Sequence, residues 1–470
     1  MPSKREEFTC CFKFLGLILA TSESDRQTTL DNTPVTWGSA LLFWLEQGMG
    51  IRLKKSSLTV PEEDLKENKM HWNRSCSEKS CVPVLQGLIL LLMLLQAGNS
   101  IAQKKKYTYE DIKDQRDFGR FRYLEIKGHT GYHLYDAGPL KRSFDGGYGA
   151  IQARYGWQSK DTASWESQYG YPSYGVGYYS GFIGDPAVLG KPNAVFGFIS
   201  FPLTPSGHRN TLHLDPSLGF TFNLEPFDTD SNPTNDAIGT DVAVFFNLAL
   251  SASYRLTREL DLVYGIDFTH FSAGRIRTPN HGINMYGLNL AFRYYYNADQ
   301  RWVDNDPFTR DLVQSRFERP RKRPNTPMGE NSIEVYLAGG TVQNVEDQGT
   351  DNRYFVFSGV LDYRYRFNNM HGISAGADFF FDESMKVRYP DDQTLVGLHA
   401  GYDFMFGRFS TRFHFGAYLE DDKGKDPLYA RFAFRYDLNR WLFAQIGVKT
   451  KETTRADWME LGIGITPFRW

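Results

Sequence analysis

From Arg122 onward the chain alternates apolar with polar or small side chains over segments of about ten residues, and clusters of Gly, Asp, Asn and Pro separate the segments. Val244, Phe246, Leu248 and Leu250 fall on one face of a predicted strand, and Asn247, Ala249, Ser251 and Ser253 on the other. Near the end, Ala430, Phe432, Phe434 and Tyr436 oppose Arg431, Ala433, Arg435 and Asp437. Aromatic residues on one face and charges on the other describe a wall against lipid and a wet interior. Roughly sixteen such segments are present, half of them before a charged, proline-bearing stretch at residues 297–330 and half after it. The pattern predicts an all-β, transmembrane antiparallel β-barrel. A single barrel of about 14 to 16 strands is preferred over two tandem eight-stranded units, because barrels usually grow by adding strands.

Two further patterns bear on that choice. The run Leu256-Thr257-Arg258-Glu259-Leu260, leading to Gly265, parallels Leu438-Asn439-Arg440-Trp441-Leu442, leading to Gly447, without a gap and at an offset of 182 residues (438 minus 256). A duplicated eight-strand unit accounts for this, and so does generic barrel similarity. Tight turns at Asn368-Asn369 and Gly407-Arg408 alternate with longer loops such as Glu420 to Asp426, as periplasmic turns alternate with external loops. The closing Phe468-Arg469-Trp470 resembles the terminal aromatic signal read by barrel-assembly machinery, which makes that machinery an expected partner during biogenesis.

Composition narrows the class. A net charge of -2 speaks against nucleic-acid binding, and no apolar run approaches the roughly 18 residues that a membrane helix needs. Aromatic residues make up 15% of the chain and glycines number 43, which suits a barrel. All four cysteines (Cys10, Cys11, Cys76 and Cys81) precede residue 103. The segment 70–102 reads as a signal peptide, with Arg74 and Lys79, an apolar core from Leu88 to Leu95, and Ser100-Ile101-Ala102 before Gln103. The mature protein would then be free of thiols. Residues 1–69 lack periodicity and read as a non-native upstream extension, with a long cytoplasmic pre-region as the alternative. The expected organisation continues as a barrel half at 103–297, a charged linker at 298–330 and a second barrel half at 331–470.

Candidate chemistry is confined to Tyr264–Asn289. In a strand, His270 and Ser272 point to the same side with Cβ atoms ~7 Å apart, together with Tyr264, Ile266 and Phe268. Gly265, Asp267 and Thr269 point the other way. On the following strand Asn284 shares its face with Tyr286, Leu288, Leu290 and Phe292. Three polar side chains are thereby directed at lipid, where polar groups are expensive unless they serve a purpose. Counting strands back from a periplasmic C-terminus puts the intervening loop on the cell surface. His281, in that loop, is read as solvated.

The pattern His-x-Ser, followed by Pro279-Asn280-His281-Gly282-Ile283 and a polar residue twelve positions after the serine, resembles the lipid A 3-O-deacylase (PagL) family. It also resembles the longer acyloxyacyl hydrolases of Bacteroidetes-type bacteria. The resemblance implies an esterase in the outer membrane of a Gram-negative, Bacteroidetes-like bacterium, acting on lipid A or lipopolysaccharide in the outer leaflet without metal or cofactor. It further implies that Ser272 is the nucleophile and His270 its base. The backbone N–H groups around Ala273 and Gly274 would form the oxyanion hole, and Asn280 would shape the loop. Asn284 stands where the family has a glutamate, and Ala273 where many members have asparagine. An amide can fix the imidazole tautomer but cannot stabilise the imidazolium by charge. At the repeat offset Glu452 aligns with His270 and Thr454 with Ser272, so the second half would be structural, with Asp457 and Glu460 as rim or lumen charges. The competing expectations are a lapsed barrel, serving as scaffold or as a channel whose lumen the charges from Arg431 to Asp437 hold open, and a surface receptor using the aromatic stretch from Tyr169 to Tyr179.

Overall fold

The computed structural model describes residues 119–301 and 329–470, apart from short stretches at 136–137, 146, 161–163, 205–209, 297, 299–300, 420–421 and 452–454. The expected extension, signal peptide and most of the charged linker lie outside the described residues. Among the described residues no helix is long and apolar enough to cross a membrane.

Sixteen antiparallel strands form two closed barrels of eight. The first comprises β1 (Arg120–His133), β2 (Tyr148–Ser159), β3 (Ser173–Phe182), β4 (Gly190–Pro202), β5 (Asn210–Leu224), β6 (Ala243–Arg255), β7 (Leu260–Ser272) and β8 (Ile283–Tyr295). The second comprises β9 (Glu330–Val342), β10 (Tyr354–Arg366), β11 (His371–Asp382), β12 (Thr394–Phe406), β13 (Phe409–Tyr418), β14 (Leu428–Asp437), β15 (Leu442–Lys451) and β16 (Arg455–Arg469). The single large barrel is therefore corrected to the tandem arrangement. β8 pairs back onto β1, with Leu290 opposite Gly128, and β16 pairs onto β9, with Ile463 opposite Leu337. Each eight-stranded circuit thereby satisfies its own edges.

The repeat is visible in the backbone. β7 and β15, the seventh strand of each barrel, begin at Leu260 and Leu442. In the turn before β7, Thr257 Oγ1 accepts from the N–H groups of Glu259 and Leu260. In the turn before β15, Asn439 Oδ1 accepts from those of Trp441 and Leu442, the same positions one offset later. A short polar residue captures the same two orphan donors in both copies, which supports duplication of one unit.

Both interiors are filled. In the first barrel, fully buried Glu125 accepts from Arg293 Nε at 2.7 Å, and Lys127 and Arg154 lie beside it. In the second, Glu334 is ringed by Arg364, Arg412 and Arg435, while Arg431 bridges Asp378 and Glu460. Asp457 and Glu460 are thus lumen charges, both almost completely buried. The expectation of a lumen held open by Arg431 to Asp437 is corrected by the same pairs. Eight strands enclose only enough space for side chains, and opposite charges close the polar interior on itself.

Loop length sorts the ends. The connections β1–β2, β5–β6, β7–β8, β9–β10 and β11–β12 are long and emerge at one end, whereas β6–β7, β10–β11, β12–β13 and β14–β15 are tight turns at the other. The aromatic stretch from Tyr169 belongs to the turn end. Tyr169 Oη donates to Met405 O and its ring packs edge-on to Phe404 at 5.9 Å, so Tyr169 joins the two barrels, whereas Tyr174 and Tyr178 of β3 stay exposed. Trp470 pairs with Asn331 through both backbone groups, and its ring lies 6.4 Å from that of Tyr363 at this end.

Candidate active site

The β7–β8 hairpin carries the predicted polar group, and strand parity places it as expected. Tyr264, Ile266, Tyr286, Leu288 and Leu290 form an exposed apolar wall, and His270, Ser272 and Asn284 continue the same face to its upper rim. Asp267 points into the lumen instead. It accepts from Asn247 Nδ2 at 3.0 Å and pairs with His129 at 2.9 Å, which removes it from the outer site.

Phe271 fixes the strand end between the two key residues. Its ring is fully buried and meets Tyr179 and Phe245, each at 5.8 Å. Driving one aromatic side chain into the core obliges its two neighbours to face outward. His270 is directly opposite Asn284 in the β7–β8 register. Its Nδ1 lies 2.7 Å from Asn284 Oδ1, so the ring donates from Nδ1 and keeps the Nε2 lone pair free. The imidazole also stacks over Phe268, with centroids 6.4 Å apart and planes 9° from parallel.

Ser272 Oγ is held by the loop that follows it. It accepts from Gly274 N at 3.1 Å and from Asn280 Nδ2 at 2.9 Å, while Asn280 Oδ1 accepts from Ala273 N at 3.3 Å. One amide therefore ties the nucleophile candidate to the first residue of the loop. Gly282 lies beneath both key side chains at φ +77°, and a Cβ there would sit 2.9 Å from His270 Cε1 and 3.5 Å from Ser272 Cβ. Only glycine suits that contact and that backbone conformation. Backbone bonds from His281 N to Asp236 O (3.2 Å) and Gly282 N to Ala237 O (2.9 Å) zip the hairpin loop to the β5–β6 connection. His281 itself is exposed.

Sequence reading missed what supports the other side of this loop. Gly274, at φ +60°, lies against Met459 and Ala456 of β16, and Arg275 reaches Asp382 and Asp457 of the second barrel. No local signal marks these partners, which are more than a hundred residues away. Glu452 and Thr454, aligned with His270 and Ser272, lie outside the described residues. In the second lumen Asp362, His399 and His414 bring ligand-type atoms within 4.8 Å of one another. Both nitrogens of His399 already meet carboxylates, Asp378 at 2.7 Å and Asp362 at 2.6 Å, so the group reads as a hydrogen-bonded network.

No curated protein matches the chain closely enough to inform it. Among solved structures, Neisserial surface protein A shares 11% identity at a TM-score of 0.24, covering 37% of this chain and 96% of its own. The N-terminal β-barrel domain of Pseudomonas aeruginosa OprF shares 12% at 0.22, covering 37% and 97%, and a mutant porin of Rh. blastica 9% at 0.18, covering 74% and 99%. At those scores the strand pairing above, and not the likeness, carries the fold. Residues 149–293 match the family described as lipid A 3-O-deacylase (PagL), and residues 331–470 match the acyloxyacyl hydrolase C-terminal domain, PagL_C. The two matches fall one on each barrel and together take in more than half of the chain, so this protein is an outer-membrane β-barrel that belongs to the PagL acyloxyacyl hydrolase family of lipid A deacylases.

Proposed function

We propose that the β7–β8 hairpin is the active site of an esterase that removes one fatty acyl chain from lipid A in the outer leaflet, with Ser272 as nucleophile and His270 as base. The observation that carries this reading is the 2.7 Å bond between His270 Nδ1 and Asn284 Oδ1 on the lipid-facing wall, two residues from Ser272. That bond leaves Nε2 as the proton acceptor. The opposite orientation of the same amide would donate to Nδ1 and put the proton on Nε2, abolishing the base.

In the reaction, Ser272 Oγ attacks the ester carbonyl carbon as His270 Nε2 takes its proton. The tetrahedral intermediate collapses, the C–O bond to the sugar breaks, and the imidazolium returns the proton to the departing hydroxyl. Water, deprotonated by the same nitrogen, then releases the fatty acid. Gly274 N and Asn280 Nδ2 already converge on Oγ, and on this reading they turn to the carbonyl oxygen that becomes the oxyanion, two bonds from Oγ. Ala273 N is engaged with Asn280 Oδ1, and on this reading it positions the donor rather than serving as one. Phe268, Ile266 and Leu288 offer an apolar seat for the acyl chain just below. The barrel-assembly machinery, through Trp470 and the strand it ends, belongs to the same proposal as the route into the membrane.

A barrel that kept the fold and lost the chemistry is the second reading, and Asn284 is the observation in its favour. Purified full-length protein in detergent micelles with lipid A distinguishes the two. Stoichiometric fatty-acid release by the native chain and none by Ser272→Ala is the expected result. Equal, background release by both would overturn the esterase.

A further inference from the structure

The loop that carries Ala273, Gly274 and Asn280 is held from outside its own barrel. Arg275 Nη2 lies 3.1 Å from Asp382 Oδ2, 3.4 Å from Asp457 Oδ1 and 3.2 Å from Ser384 Oγ, at the mouth of the second barrel. Its carbonyl accepts from Gln343 N at 2.8 Å. Thr278 N donates to Gln343 Oε1 at 2.9 Å, and Thr278 Oγ1 donates to Asn344 O at 3.0 Å. Arg277 adds an exposed pair with Asp351 at 2.6 Å. A Cβ at Gly274 would come within 3.5 Å of Met459 Cγ, so the loop runs close to β16.

The second barrel does not need Arg275 for its own charge balance. Lys425 Nζ contacts Asp382 at 2.6 Å and Asp457 at 2.7 Å, and Lys449 Nζ contacts Asp457 at 2.8 Å. Two carboxylates are already matched by two ammonium groups. Ser384 also donates to Asp382 Oδ1 from both its N and its Oγ. Arg275 is a third cation, brought in from the first barrel with its side chain only 18% exposed. A desolvated guanidinium is retained where its planar fork gains fixed partners, and here the gain is a fixed position for the loop.

We propose that Arg275 is a positioning residue and that the second barrel acts as a docking block for the catalytic loop, setting the oxyanion donors Gly274 N and Asn280 Nδ2 through the acidic pair Asp382 and Asp457. The inference rests on the esterase reading above for its catalytic consequence, and on the interbarrel contacts alone for its structural one. A loop whose donors must meet a developing charge within a few tenths of an ångström loses transition-state stabilisation when its anchor is cut, while an apolar seat on β7 and β8 is left intact.

The test uses the full-length chain with native, Arg275→Ala and Arg275→Lys forms, measured by fatty-acid release from lipid A and by amide hydrogen exchange over residues 273–280. Arg275→Ala is expected to lower kcat about 10- to 100-fold with KM within about twofold, and to speed exchange in the loop but not in β7 or β16. Arg275→Lys, which still reaches one carboxylate, recovers a large part of both. Unchanged kcat in an active Arg275→Ala protein overturns the positioning role, and unchanged loop exchange overturns the docking. If even the native chain releases no fatty acid, the esterase reading fails by itself, and the exchange data decide the docking independently.

Discussion

The two barrels share a strand count, a direction, a turn capped in the same way and a lumen that holds ion pairs, yet they differ in what the first adds on its outer face. The first sends His270, Ser272 and Asn284 outward to the rim of its lipid wall and packs the upper core beneath them with Tyr179, Phe245 and Phe271. The second turns its charges inward, where Glu334, Asp362, Asp378 and Glu460 are matched by Arg364, Arg412, Arg431 and Arg435. Duplication of a barrel unit thus leaves room for division of labour. Both copies keep buried ion pairs in the lumen, and the first in addition spends polar residues on a lipid-facing site that costs stability.

Substitutions in the first barrel test whether chemistry resides there. Ser272→Ala and His270→Ala are each expected to lower fatty-acid release by about 10⁴-fold or more, read as initial rates on lipid A micelles. Asn284→Glu restores the charge that an amide lacks. In a comparable triad that change spans about 10⁴ in rate, so the variant is expected to exceed the native chain, and a slower variant would show that the site has re-adapted to the amide. Asn280→Ala removes a donor from Ser272 Oγ and is expected to cost about 10²- to 10³-fold in kcat. Gly282→Ala forces a methyl group to within 2.9 Å of His270 Cε1 and is expected to lower kcat without altering the heat-modifiability of the folded barrel on gels.

The second barrel should respond in the opposite sense. His399→Ala removes the bridge between Asp362 and Asp378 and leaves both carboxylates short of a buried partner. A cost of about 3 to 5 kcal/mol is expected, read as a lower unfolding midpoint, with the remaining folded fraction retaining its specific activity. Loss of activity without loss of stability would blur the division between the two units.

The sequence made the face of each strand legible because side chains alternate with a period of two, and one wrong register would have reversed every residue from Tyr264 to Ser272. The same period correctly separated Asp267 from the outer group. Closure was not legible. Whether β8 returns to β1 or continues to β9 depends on tilt and stagger around the circuit, which a linear pattern does not encode. The offset of 182 was the one hint, and it proved to mark equivalent strands. The Asn280 amide bridge arises from a loop conformation, and the Arg275 anchor from packing between barrels. The long reach from Arg275 to Asp457 leaves no local trace. Charges in strands such as Arg431–Asp437 suggested a wet lumen, but only their three-dimensional pairing shows that the lumen is filled.

The most direct test of the central claim is the mass spectrum of lipid A from cells producing the native chain, set beside Ser272→Ala and Asn284→Glu at equal outer-membrane levels. A species lighter by one acyl chain is expected with the native protein, more of it with Asn284→Glu, and none with Ser272→Ala. Identical spectra from all three would contradict that claim.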